Sequence, residues 1–389
     1  MSGNYTTGSG PIYYDKKYMS IQYHYGKFPP PDLQWERIIP LIGPASAAIA
    51  DYGGRLSRIP NADVLLSPLT TQEAVLSSRI EGTQATMGDV LEYEANNNSD
   101  KFQGERRNDI FEILNYRAAM HEAEKLLQTL PLSQRLVRQL HGVLLSGVRG
   151  QNRSPGEFRK IPNWIGPAGC AVEEASFIPI SADKLPAAMN AWENFIHVPF
   201  PDKLVQLALL HVEFEAIHPF LDGNGRIGRM FIPLFLWQNG IIGRPNFYIS
   251  EFFENNQSEY YDKLRAVSQN GNWTEWCVFF MNALKEQAWA NTNKANAILD
   301  LYEEMKEAIP RLVNSQYLIQ ALDGIFSTPI FTGSRYAKAT HIPSATVRRI
   351  LPLLVKNGIL KIIEPAKGSR SATYAFPALL NLAEGREVF

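Results

Sequence analysis

The stretch between residues 203 and 240 constrains the fold more than any other part of the chain. Its first half, KLVQLALLHVEFEAI, repeats apolar residues at helical spacing. Pro219 disfavours helical backbone in the residue before it, so this first helix should end at His218. After the turn LDGNG the apolar pattern resumes as RIGRMFIPLFLWQ and stops at Asn239-Gly240. The sequence therefore predicts two helices joined by a short turn, within a mainly α-helical fold.

The turn between these helices has the composition of an anion-binding site. Gly223 and Gly225, on either side of Asn224, can take positive φ because they carry no Cβ. Consecutive amide N–H groups can then converge on one anion. The second helix begins here and directs its unpaired amides and positive dipole end the same way. A phosphate group is the predicted occupant.

Charged side chains surround this predicted cradle. Arg226 and Arg229 are three residues apart in the first turn of the helix, so both can bind phosphate oxygens from one face. Asp222 would be repelled by a polyphosphate unless a divalent cation lay between them, and Mg2+ binds in this way through one carboxylate plus phosphates. The histidine before the turn, His218, has an unperturbed pKa of about 6.5, which suits a general base. Together these residues predict chemistry on a nucleotide.

The same residues carry a family resemblance. HPFLDGNGRIGR closely resembles the signature of the Fic family, HPFx(D/E)GNGRxxR, and meets every specified position from His218 to Arg229. The resemblance covers about residues 30 to 295 and implies a Fic-type helical bundle with a small β-hairpin flap. It also implies protein adenylyl transfer (AMPylation), in which AMP moves from ATP to a Ser, Thr or Tyr hydroxyl of a target protein.

The resemblance implies a role for each motif residue. His218 would accept the hydroxyl proton, and Asp222 would hold Mg2+ or Mn2+. The implied ATP-binding residues are Gly223, Asn224 and Gly225 around the phosphates, Arg226 at the β-phosphate and Arg229 at the γ-phosphate. The flap would lie at residues 159–180 and align the target by main-chain pairing. Tyr260 and Tyr261 resemble the family's adenine-side residues, with an ordinary aromatic pair on a helix face as the alternative.

A short helix predicted at about residues 70–86 carries a second motif. Ser77, Glu81 and Gly82 fit the (S/T)xxxE(G/N) pattern of the inhibitory helix in Fic proteins. Ser77 and Glu81 are four residues apart and share a helix face. The resemblance implies that Glu81 pairs with Arg229 and repels the γ-phosphate, so that ATP binds unproductively. The same glutamate could instead activate a water that removes AMP from a modified target, which leaves the direction of the reaction open.

The C-terminal part has a different character. Residues 310–389 hold ten Lys or Arg and four Asp or Glu, although the whole chain has a net charge of −1. Their pattern predicts a helix, a tight turn at HIPS, a second helix from Ser344, a strand, a wing and a return strand. This order resembles a winged helix-turn-helix domain, whose second helix lies in the DNA major groove. Arg348 and Arg349 would lie on that helix, where they would contact DNA or a protein, with an ordinary basic solvated surface as the alternative.

These features predict three parts: an N-terminal helical region with the inhibitory helix (1–100), a Fic catalytic domain (101–295), and a linker helix with a winged helix-turn-helix domain (296–389). Two other functions stay open. One is a Fic enzyme with another nucleotide donor, and the other is a DNA-binding regulator whose Fic domain only senses nucleotide. Self-modification and a homodimer are also left open, and the sequence does not identify the target protein.

Composition indicates where such a protein works. No apolar run approaches the roughly 18 residues that a membrane-spanning helix needs. The first residues, MSGNYTTGSGPIYY, lack the basic and apolar segments of a signal peptide. Only two cysteines are present, which provides no disulfide framework. We therefore expect no membrane contact and a cytoplasmic location.

Overall fold

The computed structural model describes residues 6–7, 10–11, 20–59, 61–96, 101–148, 152–166, 169–368 and 370–389. Its α-helices are α1 (Trp35–Leu56), α2 (Ala62–Leu65), α3 (Ser67–Ile80), α4 (Met87–Asn96), α5 (Gly104–Leu126), α6 (Gln134–Leu144), α7 (Leu185–His197), α8 (Lys203–Ile217), α9 (Asn224–Gln238), α10 (Ser250–Asn255), α11 (Gln257–Asn270), α12 (Trp273–Leu312), α13 (Leu318–Ser327), α14 (Gly333–Thr340), α15 (Ser344–Lys356) and α16 (Pro377–Glu384). The strands are β1 (Thr6–Thr7), β2 (Gly10–Pro11), β3 (Ile21–Gln22), β4 (Phe177–Ile178), β5 (Ile330–Thr332), β6 (Lys361–Glu364) and β7 (Thr373–Ala375). The predicted mainly α-helical fold is confirmed.

One compact unit comprises Met1–Gly53, Leu76–Gln84 and Phe111–Trp289. At its centre α8 packs against α9, with α7 and α11 against α8 and α6 against α9. Nearly every residue of α8 and α9 is buried, as expected for helices that are apolar on most sides. Asp202 caps the start of α8, because its side chain accepts hydrogen bonds from the amides of Leu204 and Val205.

The turn between α8 and α9 follows the sequence prediction with one correction. Helix α8 ends at Ile217, and His218 takes a left-handed conformation with φ 50° and ψ 62°. Gly223 precedes α9 with φ 78°, which explains the need for glycine there. Gly225 was also expected to supply positive φ, but it lies inside α9. Glycine is therefore needed at position 225 to leave space for a neighbouring side chain and not to allow an unusual backbone conformation.

The predicted flap, residues 159–180, has less regular pairing than a two-stranded hairpin. Residues 167–168 of its loop lie outside the described part of the chain. Its arms meet at an antiparallel bridge between Ile165 and Phe177. On the other side, β4 pairs in parallel with β3, in register Ile21 to Phe177. The first arm contains Pro162, which has no N–H to donate to a longer ladder.

The second compact unit comprises Gly54–Val75, Ala85–Ile110 and Ala290–Phe389. Its sheet has the order β5-β7-β6, with both pairings antiparallel. Helix α4 packs on β5 and β7, and α13 packs on α2. The turn before α15 includes His341 in the left-handed region, and Arg348 and Arg349 are exposed on α15. The helix, turn, helix and two strands appear in the predicted order, while the winged helix-turn-helix assignment stays a prediction.

The domain boundaries predicted after residues 100 and 295 also stay predictions. Within the described ranges, no helix is long and apolar enough to span a membrane.

Candidate active site

His218 lies at the end of α8 with only 4% of its surface exposed. Its Nδ1 is 3.3 Å from the backbone oxygen of Glu215. Because a carbonyl oxygen only accepts, Nδ1 must carry the hydrogen, and Nε2 keeps its lone pair. Burial, followed by the charge of Arg159, lowers the pKa of His218 to about 3. The ring is therefore neutral near pH 7, and its pKa in this structure is well below the value of about 6.5 on which the predicted general-base role was based.

Asn224 closes the turn with its side chain. Its Oδ1 accepts from the amide of Phe220 at 2.8 Å, and its Nδ2 donates to the Phe220 carbonyl at 2.9 Å. The side chain is fully buried. Any contact of Asn224 with a phosphate therefore involves its backbone N–H, since the amide group holds the loop shut.

Gly225 makes room for a carboxylate. A Cβ on this residue would lie 2.1 Å from Oε1 of Glu81 and 2.9 Å from Nη1 of Arg229. Glycine at this position thus permits the side chain of Glu81 to lie against the first turn of α9.

Arg226 pairs with two carboxylates. Its Nη1 lies 3.0 Å from Oε2 of Glu112, and its Nη2 lies 3.2 Å from Oδ1 of Asp222. The Nε atom is buried without a hydrogen-bond partner among the described residues. The guanidinium thus has donor capacity left for a further anion such as a phosphate.

Asp222 is the candidate metal ligand. Its side chain is 17% exposed, so one carboxylate is accessible beside the start of α9. Burial raises its pKa to about 6, and the charge of Arg226 opposes this rise. The described residues include no group of three or more His, Cys, Asp or Glu suited to a metal ion. A single accessible carboxylate such as that of Asp222 is a donor with which Mg2+ can be held when phosphate oxygens and water supply the other ligands.

Two donor atoms of Arg229, Nε and Nη2, bind the segment that contains Ser77 and Glu81. Its Nη2 lies 2.6 Å from Oε1 of Glu81 and 2.8 Å from the carbonyl of Ser77, and its Nε donates to the Ser77 hydroxyl at 2.9 Å. The side chains of Arg229 and Glu81 are 1% and 5% exposed. Burial opposes the charged form of Arg229, but the Glu81 carboxylate outweighs it and raises the pKa. The ion pair expected between Glu81 and Arg229 is present.

A pocket beside this pair contains most of the predicted residues. It is lined by Glu81, Ile165, Phe177, Val212, Glu215, Ala216, His218, Gly225, Arg229, Tyr260, Tyr261, Leu264 and Arg265. The Tyr260 hydroxyl lies 2.9 Å from Nε2 of His211, and its ring stacks on Phe253. Burial raises the pKa of both Tyr260 and Tyr261, so both phenols are neutral. Their predicted contact with adenine stays a prediction, although both do reach the pocket.

Glu215 lines the same pocket and was not identified from the sequence. Its Oε1 is buried without a hydrogen-bond partner among the described residues. A Cβ on Gly228 would lie 2.2 Å from that oxygen, so glycine also makes room here. Burial raises the pKa of Glu215 to about 8, against the opposing charge of Arg229. The carboxyl is therefore largely protonated at neutral pH. The position of Glu215 in the helical pattern of α8 does not predict this protonation state.

His141 of α6 supports the turn and was also missed. Its Nδ1 accepts from the amide of Gly156 at 2.8 Å, so Nε2 carries the hydrogen and donates to the Asp222 carbonyl at 3.0 Å. The ring stacks on Phe220 with centroids 3.7 Å apart. Burial lowers its pKa to about 4, in keeping with a neutral ring. Only the tertiary structure brings this helix to the turn.

Two family models match the chain over the part that holds Glu81 and the turn from His218 to Arg229. The Fic/DOC family N-terminal model matches residues 39–125, and the Fic/DOC family model matches residues 131–236. The chain is 25% identical over 198 residues to the protein adenylyltransferase Fic of Drosophila willistoni, covering 49% of this chain and 36% of the relative. It is 44% identical over 41 residues to a probable protein adenylyltransferase of Aquifex aeolicus, covering 10% and 13% respectively. The chain thus matches well under half the length of these curated relatives.

Solved structures show the same fold. A Fic family protein from Desulfovibrio desulfuricans G20 has a TM-score of 0.54 at 18% identity, covering 90% of this chain and 98% of that one. Fic-1 from C. elegans has a TM-score of 0.53 at 14% identity, covering 69% and 75%. The fold and the site define a helical protein with a Fic motif at the start of a buried helix. The chain belongs to the Fic family.

Proposed function

We propose that the chain is a protein adenylyltransferase held inactive by Glu81. The observation that carries the proposal is the placement of His218 at the end of α8, across a closed turn from the amide-bearing start of α9. In this proposal His218 is a base that lies next to an anion site. The two curated relatives described above carry the names protein adenylyltransferase and probable protein adenylyltransferase, which supports the same activity at the level of the family.

In the proposed reaction a target hydroxyl oxygen attacks the α-phosphorus of ATP. A bond from that oxygen to phosphorus forms, the bond to the β-phosphate oxygen breaks, and pyrophosphate leaves. The hydroxyl proton passes to Nε2 of His218, whose Nδ1 faces the carbonyl of Glu215. Backbone amides of Gly223, Asn224 and Gly225 bind the phosphates. These fixed dipoles stabilise charge in the transition state at little reorganisation cost.

Asp222 and the two arginines complete the nucleotide site in this proposal. Asp222 would hold Mg2+ or Mn2+, which neutralises phosphate charge when bound. Arg226 meets the β-phosphate with donors left over from its pairs with Glu112 and Asp222. Arg229 meets the γ-phosphate only after Glu81 has withdrawn, because its Nε and Nη2 donors are bonded to Ser77 and Glu81.

We propose that the target protein docks on the flap. The second arm already has neighbours on both sides: Phe177 pairs with Ile165, and the carbonyls of Ser176 and Ile178 accept from Ile21 and Tyr23. We therefore propose that a target segment adds beside the first arm, residues 159–165. An extended peptide that bears a Ser, Thr or Tyr hydroxyl is the expected partner.

Donor labelling tests the proposed activity. The Glu81→Gly protein is incubated with lysate, Mg2+ and ATP labelled at either the α- or the γ-phosphate. We expect more protein-bound label than in lysate alone from α-labelled ATP but not from γ-labelled ATP, and no such increase after His218→Ala is added to the same variant. An increase from the γ-phosphate would instead indicate phosphate transfer, and the absence of any increase over lysate alone would contradict the transferase.

Competition assays separate the other open functions. Unlabelled ATP should suppress labelling at lower concentration than CTP, GTP or UTP if adenylyl is the group transferred. Release of AMP from labelled targets after addition of wild-type protein would show that the reverse reaction also occurs.

A further inference from the structure

Arg159 is a buried arginine in the first arm of the flap, with 3% of its surface exposed. Its hydrogen-bond acceptors are all backbone carbonyls: Nε donates to His218 at 2.9 Å, and Nη2 donates to Ile217 at 3.3 Å and to Ile180. No described carboxylate lies within 4.0 Å of it as an ion pair. Burial lowers its pKa to about 10, so it still carries its charge near pH 7. Burying a cation without a counterion is energetically costly, so the hydrogen bonds of Arg159 must offset that cost.

The carbonyls that Arg159 contacts lie where a cation is favourable. Ile217 is the last residue of α8 and His218 is its C-cap, so their carbonyls are among those without partners in the helix. The negative end of the helix dipole points the same way. The guanidinium therefore supplies hydrogen-bond donors to the free carbonyls at the end of α8, where the proposed base His218 is located.

His218 needs such support because of its backbone. Its φ of 50° lies in the left-handed region, which is unfavourable for a residue with a Cβ. The amide of Arg159 donates to the carbonyl of Pro219 at 2.9 Å, and its side chain donates to the carbonyl of His218. Two bonds from one residue thus hold two consecutive peptide groups, His218–Pro219 and Pro219–Phe220.

Arg159 also links this backbone to both arms of the flap. It belongs to the first arm itself, and Nη2 reaches the carbonyl of Ile180 at the end of the second arm. One side chain therefore fixes the distance between the segment proposed to align a target and the residue proposed to deprotonate it.

We propose that Arg159 is a positioning residue for the transfer reaction, which keeps His218 in register with a target segment held by the flap. This inference rests on the proposed adenylyltransferase function. It assigns Arg159 no contact with ATP, because its bonds all lead to the backbone of α8, the turn and the flap. Loss of Arg159 should thus slow transfer without weakening nucleotide binding.

The test uses Arg159→Gln and Arg159→Lys, each combined with Glu81→Gly in the full-length protein. Transfer of α-labelled AMP is measured as kcat and KM for ATP, and ATP affinity is measured by calorimetry. We expect Arg159→Gln to lower kcat by at least tenfold while the Kd for ATP changes less than twofold. Arg159→Lys should recover part of the rate, since it keeps the charge and one donor group.

Arg138→Gln is the matched control. Arg138 donates to the carbonyl of Gly156 and pairs with Glu157 close to the flap, but it is 41% exposed and makes no bond to the end of α8. Its substitution should leave kcat within twofold of the parent. If Arg159→Gln lowers the melting temperature below the assay range, Arg159→Lys and rescue of Arg159→Ala by millimolar guanidinium ion supply the same comparison.

The outcomes separate this inference from the function on which it rests. If the Glu81→Gly parent transfers no AMP, the proposed function fails. If the parent is active and Arg159→Gln matches its kcat, or loses ATP affinity as much as rate, the positioning role of Arg159 is wrong.

Discussion

Oε1 of Glu81 lies 2.6 Å from Nη2 of Arg229, and the two side chains are 5% and 1% exposed. Removing one partner of a buried pair leaves the other charge uncompensated, which typically costs about 3–5 kcal/mol. The second oxygen of Glu81, Oε2, is buried without a hydrogen-bond partner among the described residues. The Glu81 carboxylate is therefore stabilised chiefly by Arg229, and in the proposed function it occupies donors that a γ-phosphate would otherwise use.

We expect Glu81→Gln to lower the melting temperature, because Arg229 loses its counterion within the fold. ATP with Mg2+ should then raise the melting temperature more in the variant than in the wild type, since a phosphate can replace the lost carboxylate. Calorimetry with and without ATP measures both effects. Glu36→Gln, at an exposed position on α1, is the control and should change neither value. Equal ATP shifts in variant and wild type would disprove competition between Glu81 and phosphate.

A second prediction concerns the metal. In the Glu81→Gly background, EDTA should abolish AMP transfer, and Mg2+ or Mn2+ should restore it. Asp222→Asn should raise the Mg2+ concentration for half-maximal transfer by about tenfold or more, because the remaining ligands are phosphates and water. A titration of initial rate against Mg2+ measures this, with Asp32→Asn at an exposed position as the control. An unchanged midpoint would mean that Asp222 does not hold the ion.

Glu215 should make stability depend on pH. Its pKa of about 8 in the fold is above the ordinary value of 4.5, so the folded protein keeps a proton that the unfolded chain loses. The resulting stability is fully present below pH 4.5 and is lost as the pH rises through about 8. Glu215→Gln cannot ionise, so its melting temperature relative to the wild type should increase between pH 5.5 and pH 8.5. The difference between the two proteins isolates Glu215 from the other groups, and a constant difference would contradict its buried neutral state.

His141 provides a fourth prediction. His141→Ala would leave the amide of Gly156 and the carbonyl of Asp222 without their partners, and each unsatisfied group costs about 1–3 kcal/mol. Denaturant unfolding should show a lower midpoint, and transfer by the Glu81→Gly protein should fall because the loop that bears Asp222 loosens. His121→Ala, at an exposed position on α5, should leave both unchanged. Full activity with lower stability would restrict His141 to a structural role.

The sequence predicted those parts of the site whose residues are close together along the chain. The turn, the end of α8 at His218 and the start of α9 all follow from Pro219, Gly223 and the apolar periodicity. The pair between Glu81 and Arg229 was expected from a second short motif rather than from physical pattern alone.

The supporting residues could not be found in the same way. Glu112, His141 and Arg159 come from separate elements and act through contacts with sequence-distant backbone or side chains. Nothing in their local pattern distinguishes them from other polar residues on helices and loops. Gly225 shows a related limit, since the sequence predicts a glycine needed for positive φ, whereas in the structure its lack of a Cβ provides space for Glu81. Such roles depend on packing, which periodicity and motif spacing do not encode.

The last prediction concerns DNA and the basic C-terminal module. Arg348 and Arg349 are exposed on α15, the helix that follows the tight turn at His341. If this helix binds phosphates, the logarithm of the binding constant should fall linearly with the logarithm of salt concentration. Mobility shifts with duplex DNA should weaken after Arg348→Glu, and the salt slope should become shallower by about one for each phosphate that the variant no longer neutralises. Arg386→Glu, at a 62% exposed arginine of the same unit, is the matched control. Binding that is absent at low salt, or an equal decrease in affinity in both variants, would contradict a DNA-binding α15 and favour a protein partner for this surface.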